Sequence, residues 1–221
     1  MQKRTPLIWI AFVLAGCVSG VALAAQPGPL PVAITLKHGD EQERQTQAQL
    51  ERLLRTYDVR PWIFTDRIVI ESGPRVIPHS HPVLTLSTRH LLDDELLLST
   101  FIHEQLHWFL GSHREEAKAA IAELKTVFPT VPVGYPDGAM DEGSSYDHLL
   151  VCALEDSATE KLLGELRARQ VLQFWTMDHY RWIYRQVLER GEDLRGILAK
   201  HGLDPLARPT PVAAAPARSN L

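Results

Sequence analysis

Apolar residues are spaced along this chain in three ways, and each spacing predicts a different kind of element. The first is an unbroken run from Leu7 to Ala25 with no charged residue, preceded by Lys3 and Arg4. A basic start followed by an apolar stretch reads as an export signal and stays outside the fold. The second is short and β-branched: Arg67-Ile68-Val69-Ile70-Glu71 and Val83-Leu84-Thr85-Leu86-Ser87-Thr88 predict two strands of a small sheet, separated by Gly73, Pro74, Pro78 and Pro82. The third is helical. Leu50, Leu53, Leu54 and Tyr57 give one apolar face to a helix over Glu41 to Tyr57. Further helices are predicted over 93–110, about 114–127, about 144–164, about 170–190 and, briefly, 192–201, with a Pro/Gly-rich loop from Pro129 to Gly143. Residues 26–36 carry three prolines and read as a linker; 205–221, rich in Pro and Ala without an apolar period, read as a disordered tail. The fold class is α+β, a small sheet followed by a mainly helical bundle, in one domain over 37–204.

The helix over 93–110 differs from the rest. Leu96, Leu97, Leu98, Phe101, Ile102, Leu106, Trp108, Phe109 and Leu110 make it apolar nearly all round, the pattern of a helix inside a core. Asp93 or Asp94 offers an N-cap and Gly111 a C-cap. Within this helix stands His103-Glu104-Gln105-Leu106-His107, an HExxH string. Residues i and i+4 share a helix face, so both imidazoles reach one cation while Glu104 reaches a water beside it. Buried polar groups cost free energy unless paired, and a metal satisfies all three together.

The HExxH string, with a sheet whose last strand leads into its helix and more helices beyond, resembles the zincin metallopeptidases over roughly Tyr57 to Arg190. The resemblance implies Zn²⁺ as cofactor, a peptide or protein substrate, and Glu104 as general base on a zinc-bound water. It also implies that the strand Val83 to Thr88 lies along the cleft and pairs with an extended peptide. A later Tyr or His would then stabilise the oxyanion: Tyr180, His179 or Tyr146.

A catalytic zinc takes three protein ligands and keeps one open position, so a third ligand is needed. His113 stands where metzincins keep a third histidine, but Leu110 replaces the glycine that turns their chain. His148 and Glu155 lie seven residues apart, two turns on one face of the helix 144–164, with apolar residues between. Either can be the ligand, with the other as its hydrogen-bonding partner. In a gluzincin-like arrangement Glu155 would be followed four positions on by an acidic residue, where Thr159 stands. His79-Ser80-His81 sits between prolines in a loop and reads as solvated or substrate-facing.

Charge and cysteine change this picture little. The chain carries 27 acidic and 23 basic residues, a formal −4 that becomes −6 without Lys3 and Arg4, and no basic cluster, which argues against nucleic-acid binding. The export segment admits three endings. Leu14-Ala15-Gly16-Cys17 resembles a lipobox, Ala22-Leu23-Ala24 is an A-x-A cleavage site, and the uncleaved run is long enough to span a bilayer. All three place the protein outside the cytoplasm, in the periplasm or attached to the membrane of the cell envelope. Only Cys152 then remains in the folded part, as a buried thiol. Two other classes stay open: an envelope protein in which the metal only staples helices, and a metal-free binding lipoprotein.

Overall fold

The computed structural model describes residues 29–206. Its order is β1 (Ala33–Leu36), α1 (Glu41–Thr56), β2 (Arg67–Glu71), β3 (Leu84–Ser87), then α2 (Asp94–Ser112), α3 (Arg114–Val127), α4 (Glu142–Leu163), α5 (Glu165–Asp178) and α6 (Arg181–Lys200). The fold is α+β. The sheet has three parallel strands in the order β1-β2-β3, with Ile68 opposite Ile34 on one side and Leu84 on the other. Parallel strands need cover. Here α1 packs on β1 and β2, and α2 on β3 and α1, so Ile68, Ile70, Leu84 and Leu86 are buried.

Three sequence expectations change. The segment 26–36 is not all linker: Ala33–Leu36 is β1, joined to β2 through α1 as a β-α-β unit. Four residues beside three prolines carry too short a pattern to announce a strand, and it is pairing with Ile68 and Ile70 that makes it one. The helix expected over 170–190 is two helices, broken at His179 and Tyr180, and the short piece near 192–201 is the end of α6. Tyr180 has φ +48°, the left-handed region, which ends α5 without a glycine. The freed N–H groups of Arg181 and Trp182 donate to the carbonyls of Pro136 and Asp137, so a distant loop caps α6. Finally, the outer edge of β3 is partly taken: His79 and Thr85 exchange both main-chain hydrogen bonds, at 3.0 and 2.8 Å.

The helix α2 runs through the core. Asp93 caps it, accepting from the N–H of Leu96, and it continues through Gly111 to Ser112. Gln105, in the middle of the HExxH string, is fully buried; its amide accepts from the N–H groups of Phe64 and Thr65 and donates to the carbonyl of Thr65. One variable position of the string is therefore spent on fixing the helix to the loop before β2. Among the described residues no helix is long and apolar enough to cross a membrane. The apolar segment read from the sequence as an export signal and most of the tail lie outside the described residues.

Candidate metal centre

Three helices and one break build the site. From α2 come Ser99, His103 and His107, spaced by four and so stacked in one stripe. From α4 come His148 and Glu155, on one face and about 10 Å apart along the axis at 1.5 Å per residue. The α5–α6 break supplies His179 and Tyr180, and α6 supplies Tyr184.

His103, His107 and His148 each bring a ring nitrogen to within 4.8 Å of the others. The Nε2 atoms of His103 and His107 stand 3.3 Å apart. Two nitrogens bound at about 2.0–2.1 Å to one tetrahedral zinc would be about 3.3 Å apart. Hydrogen bonds on the far side of the rings assign the tautomers. The Nδ1–H of His148 donates to the carbonyl of Ser144 at 2.7 Å, which leaves its Nε2 with a lone pair. The Nδ1–H of His103 donates to Glu155 at 2.8 Å, which does the same there. Burial pushes the three imidazoles down to about 3, 2 and 3 for His103, His107 and His148, so all are neutral near pH 7. His107 makes no such far-side bond among the described residues, so at 3.3 Å its Nε2 and that of His103 either share a proton or face one cation, whereas His103 and His148 each keep a lone pair on Nε2 for a metal. The donor set thus fits a metal ion, with the three rings as its ligands.

Glu155 has a different position from His148. It is fully buried, and its carboxylate faces Nδ1 of His103, whereas the converging nitrogen of that ring is Nε2. It also accepts from the hydroxyl of Tyr184 at 2.8 Å and from Ser99, whose oxygen in turn accepts from Trp175 Nε1–H at 3.0 Å. His103, Glu155 and Cys152 form a second cluster able to hold a metal. There burial keeps the Cys152 thiol protonated, well above its ordinary range, and the thiolate is the form that binds metal.

Glu104 is 6% exposed and makes no side-chain hydrogen bond among the described residues. Burial, together with the nearby Glu155, raises its carboxyl to about 8. It lines a cleft of about 1050 Å³ that also exposes the three histidines, His179 and Tyr180. Tyr180 packs its ring 4.2 Å from that of His148, and burial lifts its hydroxyl to about 12, so it stays a donor. Its left-handed backbone costs about 1–3 kcal/mol for a non-glycine residue, a kind of strain that gathers at functional sites. The Nδ1–H of His179 donates to Asp178 at 2.7 Å, and Asp178, drawn down to about 2 chiefly by its hydrogen bonds to Arg89, stays anionic.

The other sequence candidates lie elsewhere. His113 ends α2, its Nδ1–H donating to the carbonyl of Phe109 at 2.7 Å. Tyr146 is fully buried and donates to the carbonyl of Phe128 at 2.5 Å, away from the cleft. His79 and Ser80 line the cleft, while His81 stacks on Trp108 at 4.3 Å. Sequence reasoning does not single out Ser99, Asp178 or Arg89 as site residues, and it presents Trp175 and Tyr184 as a core aromatic stripe on the helix 170–190. Of these only Ser99 carried a signal, since it lies one turn before His103. In comparisons with known proteins, no family model, no curated protein and no solved structure matches the chain.

Proposed function

We propose that this chain is an exported, zinc-dependent peptidase of the zincin type. His103, His107 and His148 hold the metal, Glu104 is the general base and Tyr180 is the oxyanion donor. One observation carries the reading: Glu104, a buried carboxylate with no hydrogen-bond partner among the described residues, shares an open cleft with three neutral imidazoles whose ring nitrogens lie within 4.8 Å of one another. A stapling site would close the fourth position with protein. Here Glu155 is turned to the far side of His103 and burial holds the Cys152 thiol beside it protonated, so neither closes that position, and this favours an enzyme over a structural centre.

When bound, zinc supplies a Lewis acid for a peptide carbonyl and acidifies water in its open position. A bound cation beside Glu104 would draw its carboxyl below the value of about 8 that burial and Glu155 impose, and so leave it able to accept a proton. Glu104 takes the proton of the attacking water and returns it to the leaving amine. The Tyr180 hydroxyl, protonated across the working pH range, donates to the oxygen on which negative charge develops. His179, held by Asp178 and Arg89, lies beside it on the same wall.

Glu104→Gln tests the assignment, because the amide keeps the shape and removes the base. Zinc-loaded wild type should cut members of a mixed peptide library, read by mass spectrometry. The variant should hold zinc at the same stoichiometry and lose cleavage by about 10² or more. Equal cleavage by both proteins would remove Glu104 from the mechanism.

A further inference from the structure

The outer edge of β3, where main-chain pairing would hold an extended substrate, is occupied at Thr85 by His79 of the same chain. At Thr85 that edge is closed, and none of Leu84–Ser87 lines the cleft, contrary to the expectation that the strand runs along it, so side chains read what enters. Eight large apolar side chains stand exposed among the described residues, and three of them, Ile77, Tyr135 and Met140, line this one cleft at 76%, 77% and 85% exposure. Single exposed apolar residues are ordinary, but their convergence on one polar-floored cleft marks a binding surface.

Both loops that carry them are firmly held. The loop of Ile77 is fixed by the His79–Thr85 pair and by Trp108 Nε1–H donating to the carbonyl of Ser80 at 2.8 Å. The loop of Tyr135 and Met140 is fixed by Ser145, whose hydroxyl donates to the carbonyl of Pro132 at 2.7 Å and accepts from the N–H of Ala139 at 2.9 Å. Gly138 is obligatory there, since a Cβ would lie 2.0 Å from the Pro132 oxygen. Apolar side chains on held loops do not collapse onto the protein, and they bind with little ordering cost.

Charge narrows the occupant. The carboxylates of the cleft are Glu104, at the metal centre, Glu155, buried against His103, and Asp178, bound by Arg89 and His179. Arg75, at the mouth, has no ion pair or hydrogen bond among the described residues. A lysine or arginine side chain therefore finds no counter-charge. We propose that the mouth grips a bulky apolar side chain of a peptide, with Ile77, Tyr135 and Met140 as the specificity-determining residues; this rests on the peptidase reading above.

The test is binding to the zinc-loaded full chain, measured by titration calorimetry without any need for turnover. The probes are N-acetyl tripeptide hydroxamates with leucine, phenylalanine, lysine or aspartate at one position and alanine at the others. Leucine or phenylalanine at one of the positions should tighten binding about tenfold over lysine or aspartate. The double variant Ile77→Ser, Met140→Ser should reduce that ratio to about two or less. Equal affinity for all side chains, or a ratio unchanged in the variant, overturns the proposal while leaving the open metal site intact. Failure of every hydroxamate, the all-alanine one included, on a protein that holds zinc overturns the open site and this proposal with it. A wild-type dimer that the double variant abolishes would assign the patch to a second copy of the chain and overturn it too.

Discussion

The imidazole of His103 is held from both sides: Nδ1 by Glu155, itself fixed by Ser99 and Tyr184, and Nε2 by the cluster with His107 and His148. The two α4 residues are seven apart because one faces the converging nitrogens and the other the back of the ring. This separates two kinds of substitution. His148→Ala should weaken zinc by about 10² or more in competitive chelator titration, and His113→Ala, which only ends α2, by no more than about threefold. The reverse order would restore His113 as the ligand. Glu155→Gln should keep one zinc per chain and lower its affinity about 10–100-fold, as expected for a group acting through a ligand. Loss of zinc as complete as in His103→Ala would make Glu155 a ligand instead. HExxH was legible in the sequence because helical spacing is local, and His148 with Glu155 because seven residues is two turns. Trp175, Tyr184 and Asp178 were not, because only packing of α5 and α6 on α2 and α4 brings them to the site.

At the level of elements, the strands β2 and β3 and helices α1 to α4 lie close to where the sequence predicts them, whereas the helix expected over 170–190 does not. The run through Trp175 to Tyr184 keeps helical spacing across the break, so the pattern conceals it. What ends α5 is tertiary: Arg89 holds Asp178, and the carbonyls of Pro136 and Asp137 receive α6. The loop 129–141 thus supports the wall that carries Tyr180, and its tightest point is Gly138. Gly138→Ala must displace the Pro132 carbonyl, which a Cβ would meet at 2.0 Å, and it also crowds the Ser145 hydroxyl at 3.0 Å. It should cost about 1–3 kcal/mol in denaturant unfolding while zinc stoichiometry stays at one. An unfolding midpoint equal to wild type would show that the loop yields freely and is not the support assigned to it.

For the whole molecule, the site ties stability to pH. The buried imidazole of His103 and the half-buried ones of His107 and His148, held at about 3, 2 and 3, refuse protons that the unfolded chain takes up near 6.5, so metal-free stability is lost as pH falls below about 6.5. Glu104 and Glu155, at about 8 and 7 against an ordinary 4.5, act with the opposite sign: their stabilisation is lost as pH rises through those values. Outside the site, His90 at about 4 and Asp156 at about 6 add one histidine and one carboxyl, so between 4.5 and 6.5 four histidines outweigh three carboxyls, and the Tm of metal-free protein should peak near pH 6.5 and fall on either side. Zinc favours neutral imidazoles and ionised carboxylates, so the rise in Tm it produces should grow from pH 6 to 8, by calorimetry with and without chelator. A metal-free Tm flat from pH 5 to 8 would mean these groups are not buried together. The central claim, that three imidazoles of α2 and α4 hold one metal and leave a position open, is tested most directly by X-ray absorption at the zinc edge. The account predicts light scatterers only, at about 2.0–2.1 Å, with the signature of three imidazoles and one further oxygen. A sulfur shell at about 2.3 Å, which would bring in Cys152, or a fit with two imidazoles, would contradict it.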